Sequence, residues 1–150
     1  MRSILPPILV LILIIVAIVI GLLAPVVSLI DGWWRLVGLG PILGGAALTW
    51  RSSALFEALR TNIHTFRDPD VLVVDGPFAW SRNPMYLGFA TLLAGVAIAV
   101  GSLSAWIAPV AFVTAAGRWY IPYEEARMVA HFGDDYRMYQ QHCRRWIGRS

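Results

Sequence analysis

Four runs of apolar residues, at about 4–24, 33–50, 84–100 and 103–121, constrain this chain more than any other feature. A helix needs roughly 20 apolar residues to cross a bilayer, and these runs meet or approach that length. Hydrophobic residues make up 58% of the 150-residue chain and charged residues only 14%. Average globular chains are nearer half apolar and a quarter charged. The fold expected is therefore all-α: a polytopic membrane protein with four transmembrane helices, built as a single domain over 1–150. The first run could imitate a signal peptide, but no small-residue cleavage site follows it in polar sequence. It is read as a retained span.

The basic residues orient the spans. All twelve are Arg. With the N-terminus inside, Arg2, Arg51, Arg60, Arg67, Arg82, Arg118, Arg127, Arg137, Arg144, Arg145 and Arg149 fall on the inner side and only Arg35 on the outer. By the positive-inside rule this puts the 51–83 loop, the helical tail 122–150 and both termini in the cytoplasm. An inner membrane of a bacterium is the expected location.

Between the spans the residues are read locally. Pro6 and Pro7 fall in an opening turn, where a missing N–H is tolerated. Gly38, Gly40, Gly44 and Gly45 allow a neighbouring helix to come close. "SSALFEALRTNIHTF", from residue 52, reads as an amphipathic helix at the interface. Pro84 begins the third span, and spans three and four form a helical hairpin closed by "GSLS". Phe132-Gly133-Asp134 reads as one helix ending and another starting. Tyr136, Tyr139, Cys143 and Trp146 recur at helical spacing and share a face.

Several function classes are disfavoured. No Arg-rich block stands apart from the apolar runs, so a nucleic-acid partner is not expected. With one cysteine, Cys143, neither an internal disulfide nor an ordinary Cys/His zinc site is expected, and no metal is called. The spans carry no acidic residue at mid-depth, which disfavours a proton-coupled exporter. A non-catalytic small membrane protein or small-molecule transporter remains the alternative. Polar groups collect instead where spans three and four meet the cytoplasm: His64, Asp70, Asp75, Arg82, Asn83 and Tyr86 before the hairpin, and Arg118, Tyr120, Tyr123, Glu124 and Glu125 after it. Glu124 and Glu125 also follow Pro122, where acids would favour a helix start.

"LVVDGPFAWSRNPMYLG" (72–88), a two-span hairpin and "EEARMVAHFGDDYRMY" (124–139) together resemble the membrane methyltransferases that include isoprenylcysteine carboxyl methyltransferase and the phospholipid N-methyltransferases. The family's pattern is Leu-Val, Gly-Pro-Tyr and Arg-His-Pro-x-Tyr-x-Gly, then paired Glu and Phe-Gly-x-x-Tyr. The resemblance covers about 60–147 and implies S-adenosylmethionine as cofactor. It carries cofactor binding onto Asp70, Val71, Leu72, Val73, Phe78, Asn83, Pro84, Met85, Tyr86 and Glu124. Phe78 stands where the family has Tyr, and Asn83 where it has His, so position 83 keeps hydrogen bonding but cannot carry a proton near neutral pH. Arg82, Glu125 and His64 are the candidate catalytic groups, and Tyr120 and Arg118 candidate acceptor contacts. The acceptor implied is a lipid or lipid-like molecule, an isoprenylcysteine-like carboxylate or a phospholipid amine, reached from the bilayer while the polar cofactor enters from the cytosol.

Overall fold

A computed structural model describes residues 5–58 and 71–149. His64, Asp70 and the 59–66 part of the expected interfacial helix lie outside the described residues. The described chain is helical, and its β-type pairings are two isolated bridges, Ser28 with Ser102 and Cys143 with Arg149. It divides into two compact units.

The first unit takes the described residues of 1–46 together with 88–115. Its opening helix, α1, spans Pro6–Leu23 with proline in the first turn, as expected. Val10, Leu13, Ala17 and Gly21 form one buried stripe on α1. That stripe packs against a short 3₁₀ turn, Leu103–Trp106, and against α4, Ile107–Ala115. The other faces of α1 expose Ile8, Leu11, Ile12, Ile15, Ile18 and Leu22. A helix apolar all round while open on most sides suits a hydrocarbon surrounding. Among the described residues α1 is the one helix both long and apolar enough to cross a membrane; α3, Pro84–Val100, is a shorter apolar helix of 17 residues.

The second run departs from its expected bounds. A 3₁₀ segment, Gly32–Gly38, leads into α2, Leu39–Ala58, which continues through Arg51 instead of ending at Trp50. Nothing in Trp50–Ser53 breaks a helix. The Ser52 and Ser53 hydroxyls donate to the carbonyls of Leu48 and Thr49, four residues back, at 2.7 and 3.0 Å, which satisfies them within the helix. The segment 52–58 is thus a continuation of α2 and not a separate surface helix.

Within this unit the 3₁₀ segment and α2 meet α3 on glycine. A Cβ on Gly38 would lie 2.5 Å from the Gly95 carbonyl oxygen and 2.7 Å from the Ala99 nitrogen. A Cβ on Gly45 would lie 2.6 Å from the Leu92 nitrogen. At the far end of α3, Gly101 has φ 78° and its carbonyl accepts from the Leu29 and Ile30 amides at 2.8 and 3.2 Å. Arg35 Nε donates to the Ile30 carbonyl at 3.0 Å beside it.

The second unit takes 47–87, as far as described, and 116–149. The expected end of a span at Ile121 is absent: helix continues from α4 through a π turn, Ala116–Tyr120, into α5, Ile121–Phe132. Pro122 explains the wide turn. Its ring lacks an N–H and would clash with the carbonyl four residues back, and widening the turn relieves that crowding while the helix goes on. The break at Gly133, φ 57°, falls where the sequence places it, and α6 follows as Asp134–His142. Cys143 is extended, at φ −130° and ψ 132°, so Trp146 is not on the helix that carries Tyr136 and Tyr139. The tail 143–149 instead closes a tight loop, with the Arg144 amide donating to the Gly148 carbonyl at 2.8 Å and Gly148 at φ 108°.

Candidate active site

The residues between Val73 and Tyr86 meet α5 and the tail inside the second unit. Val73, Phe78, Ser81, Asn83 and Tyr86 are buried here, with Ile121, Glu125, Tyr136 and Cys143 opposite. Pro84 is the first residue of α3, which fixes Tyr86 in the first turn of that helix. Tyr86 donates its phenolic proton to Glu124 Oε1 at 2.8 Å. The Tyr120 ring, from the π turn, lies near-parallel to the Tyr86 ring at 6.2 Å between centroids. A carboxylate and two aromatic rings thus converge from three elements.

Glu125, the next residue, is held differently. Its Oε1 accepts from Arg82 Nη2 at 2.9 Å, Arg82 Nε at 3.2 Å and Arg145 Nε at 3.3 Å, while Oε2 accepts from Arg145 Nη2 at 2.6 Å. The Arg82 and Glu125 side chains are only 12% and 10% exposed, so this is a buried ion pair whose charges depend on one another. Arg82 also donates Nη1 to the Cys143 and Gln140 carbonyls at 2.6 and 3.0 Å. Its backbone amide bonds the Arg144 carbonyl at 3.0 Å. The hydrogen bond from Arg145 to Glu125 makes that guanidinium hold its proton still more firmly than usual.

Asn83 takes part in the same joint. Its Nδ2 donates to the Arg145 carbonyl at 3.0 Å, and its amide donates to Ser81 Oγ at 3.0 Å. The Phe78 ring meets Phe56 edge-on at 5.2 Å. The Phe78 carbonyl accepts from Tyr139 at 2.6 Å and from the Cys143 thiol at 3.4 Å. Burial, above all, pushes the Tyr136 and Tyr139 hydroxyls well above the usual tyrosine range; Glu125 adds to the shift at Tyr136 and Cys143 to that at Tyr139.

Of the sequence candidates, the fold brings together Arg82, Asn83, Tyr86, Tyr120, Glu124 and Glu125. Val73 and Phe78 are buried in the same unit, Leu72 and Met85 are half-buried, and Val71 and Arg118 are exposed. Arg82 and Glu125 are engaged with each other and with the tail, an arrangement that holds structure. The helix start invoked for the paired acids is absent, because the helical run is continuous from Ile107 to Phe132. Sequence reasoning missed Arg145 and the tail carbonyls. In the sequence Arg145 is only one of many inner-side arginines, whereas the burial of Tyr136 and Cys143 is signalled by their helical spacing.

Helical throughout its described residues, with one helix long and apolar enough to cross a membrane and a polar joint between two motif segments, the chain has the makings of a membrane-associated helical protein with a candidate active site. The phospholipid methyltransferase family model matches residues 33–135, and the chain belongs to that family. It is 33% identical over 63 residues to an uncharacterized protein of Haemophilus influenzae, a match covering 42% of this chain and all of that protein. It is 32% identical over 98 residues to the protein-S-isoprenylcysteine O-methyltransferase of Schizosaccharomyces pombe, covering 61% of this chain and 40% of that one. No solved structure matches the chain significantly.

Proposed function

We propose that this protein transfers a methyl group from S-adenosylmethionine to a lipid-like acceptor at the cytoplasmic face of a membrane. The observation that carries the reading is the Tyr86–Glu124 hydrogen bond with Tyr120 lying over Tyr86. Membership of a methyltransferase family supports the reaction class.

The donor set suits the cofactor. A carboxylate accepts at up to about four positions, so the bond from Tyr86 is compatible with ribose hydroxyls or an ammonium group at Glu124. Aromatic faces attract a cationic centre such as a sulfonium, and Tyr86 and Tyr120 provide them. Leu72, Val73 and Phe78 offer apolar walls to an adenine, Pro84 and Met85 shape the helix entry, and Asn83 sets its hydrogen bonding. The cofactor supplies an electrophilic methyl group when bound. Tyr86 and Glu124 hold the polar end in place, Tyr120 excludes water, and Arg82 with Glu125 keeps the α5 acids aligned. Most of the rate then comes from positioning and exclusion of water.

The four apolar runs are proposed to span the bilayer with both termini inside, supported by the arginine bias. An ionised carboxylate acceptor needs no base. A phospholipid amine would need deprotonation, for which His64 or a glutamate is the candidate. Calorimetry of the purified protein with S-adenosylmethionine tests the reading. Micromolar binding in the wild type that weakens about ten- to a hundred-fold in Glu124→Gln is expected, from the loss of charge-assisted hydrogen bonds. No binding by the wild type would favour a non-catalytic membrane protein.

A further inference from the structure

The tail that follows α6 contains one residue bonded to both halves of the proposed site. The Arg145 guanidinium donates to both oxygens of Glu125, at 3.3 and 2.6 Å. The Arg145 main-chain carbonyl accepts from Asn83 Nδ2 at 3.0 Å and from Ser81 Oγ at 3.4 Å. Glu125 is the neighbour of Glu124, and Asn83 lies three residues before Tyr86. Side chain and main chain of a single residue therefore grip the segment next to each member of the Tyr86–Glu124 pair. Arg145 also lies beyond the 33–135 family match, so nothing in that match assigns it a role.

We infer that Arg145 is a positioning residue for methyl transfer, setting the separation at which Glu124 and Tyr86 face the cofactor. The inference rests on the reading of that pair as cofactor contacts. The bidentate fork matters: it fixes the plane of the Glu125 carboxylate, which a point charge cannot do. Arg82 holds Glu125 from the other side at Oε1. Removing the Arg145 guanidinium therefore loosens the acid without stranding its charge, and leaves the carbonyl bonds to Asn83 and Ser81 intact. A small displacement of contact groups is enough to weaken a site markedly.

The test uses the full-length protein in nanodiscs, with S-adenosylhomocysteine binding read by calorimetry and melting temperature read in parallel. Arg145→Gln is expected to bind about tenfold more weakly, and Arg145→Lys, which keeps the charge but not the fork, about threefold more weakly. Glu125→Gln is expected to weaken binding to a similar degree, and the Glu125→Gln/Arg145→Gln double variant no further, because the two act as one unit. Affinity within twofold of wild type in Arg145→Gln, whatever its melting temperature, overturns the inference. Losses that simply add in the double variant also overturn it. Should Arg145→Gln fail to fold, wild-type affinity in Arg145→Lys has the same force. If the wild type itself does not bind S-adenosylhomocysteine, the reading of the site fails at its root, an outcome distinct from all of these.

Discussion

Tyr86 donates to Glu124 across 2.8 Å although 38 residues separate them in the chain. The bond ties the first turn of α3 to α5, and it is a phenol donating to a carboxylate, the stronger kind of neutral–ionic hydrogen bond. Tyr86→Phe keeps the ring and its stacking on Tyr120 but removes the donor. S-adenosylhomocysteine affinity should fall by about 1.5–3 kcal/mol, roughly ten- to a hundred-fold. Equal affinity in calorimetry would show that Glu124 is held by other means.

Glu125 and Glu124 should separate by what their loss affects most. Glu125→Gln leaves Arg82 and Arg145 facing a neutral amide in a buried joint. Breaking one partner of such a pair costs about 3–5 kcal/mol when burial is deep. Thermal unfolding followed by circular dichroism should show a large drop for Glu125→Gln and a small one for Glu124→Gln. The reverse order would mean the two acids have exchanged roles.

Alkali should attack the second unit. Tyr136 and Tyr139 ionise later in the folded protein than the ordinary value of 10.0. Above that value the unfolded chain releases protons that the folded one retains. The stabilisation is therefore complete below pH 10.0 and declines as pH rises beyond it. Phenolate absorbance should show part of the five-tyrosine signal appearing only together with loss of helicity. All five titrating together with helicity intact would contradict the burial of Tyr136 and the half-burial of Tyr139.

The topology is testable, but not through the native thiol. Cys143 is 2% exposed, so it should resist impermeant reagents from either side of the membrane. Met138 on α6 is 54% exposed. In Cys143→Ser with Met138→Cys, labelling should require permeabilised cells. Labelling of intact cells from outside would reverse the proposed orientation.

Much of the frame was legible because prolines and glycines punctuate it. Pro84 marks the start of α3, and Gly133 separates α5 from α6. The apolar runs at about 4–24 and 84–100 hold helices at Pro6–Leu23 and Pro84–Val100. Local signals failed where the chain compensates for a breaker, as the π turn does for Pro122, or where no breaker stands, as between Trp50 and Ala58. At the candidate site the motif pattern singles out Tyr86 and Glu124, and the fold brings the two together. The bonds of Arg145 were not legible, because its partner lies 20 residues away and nothing beside it distinguishes it from the other arginines.

Gly38, the last residue of the 3₁₀ segment, and Gly45 on α2 are seven residues apart, and each is a notch that receives the backbone of α3. Seven residues is close to two helical turns, so both notches of a helix open on one side. Like the two cuts of a key, they align at a single lengthwise setting. A shift by one residue would bring the side chain of Val37 or Leu39 against main-chain atoms at the first notch. Sliding of α2 along α3 is thereby opposed, because the close approach holds at one lengthwise setting.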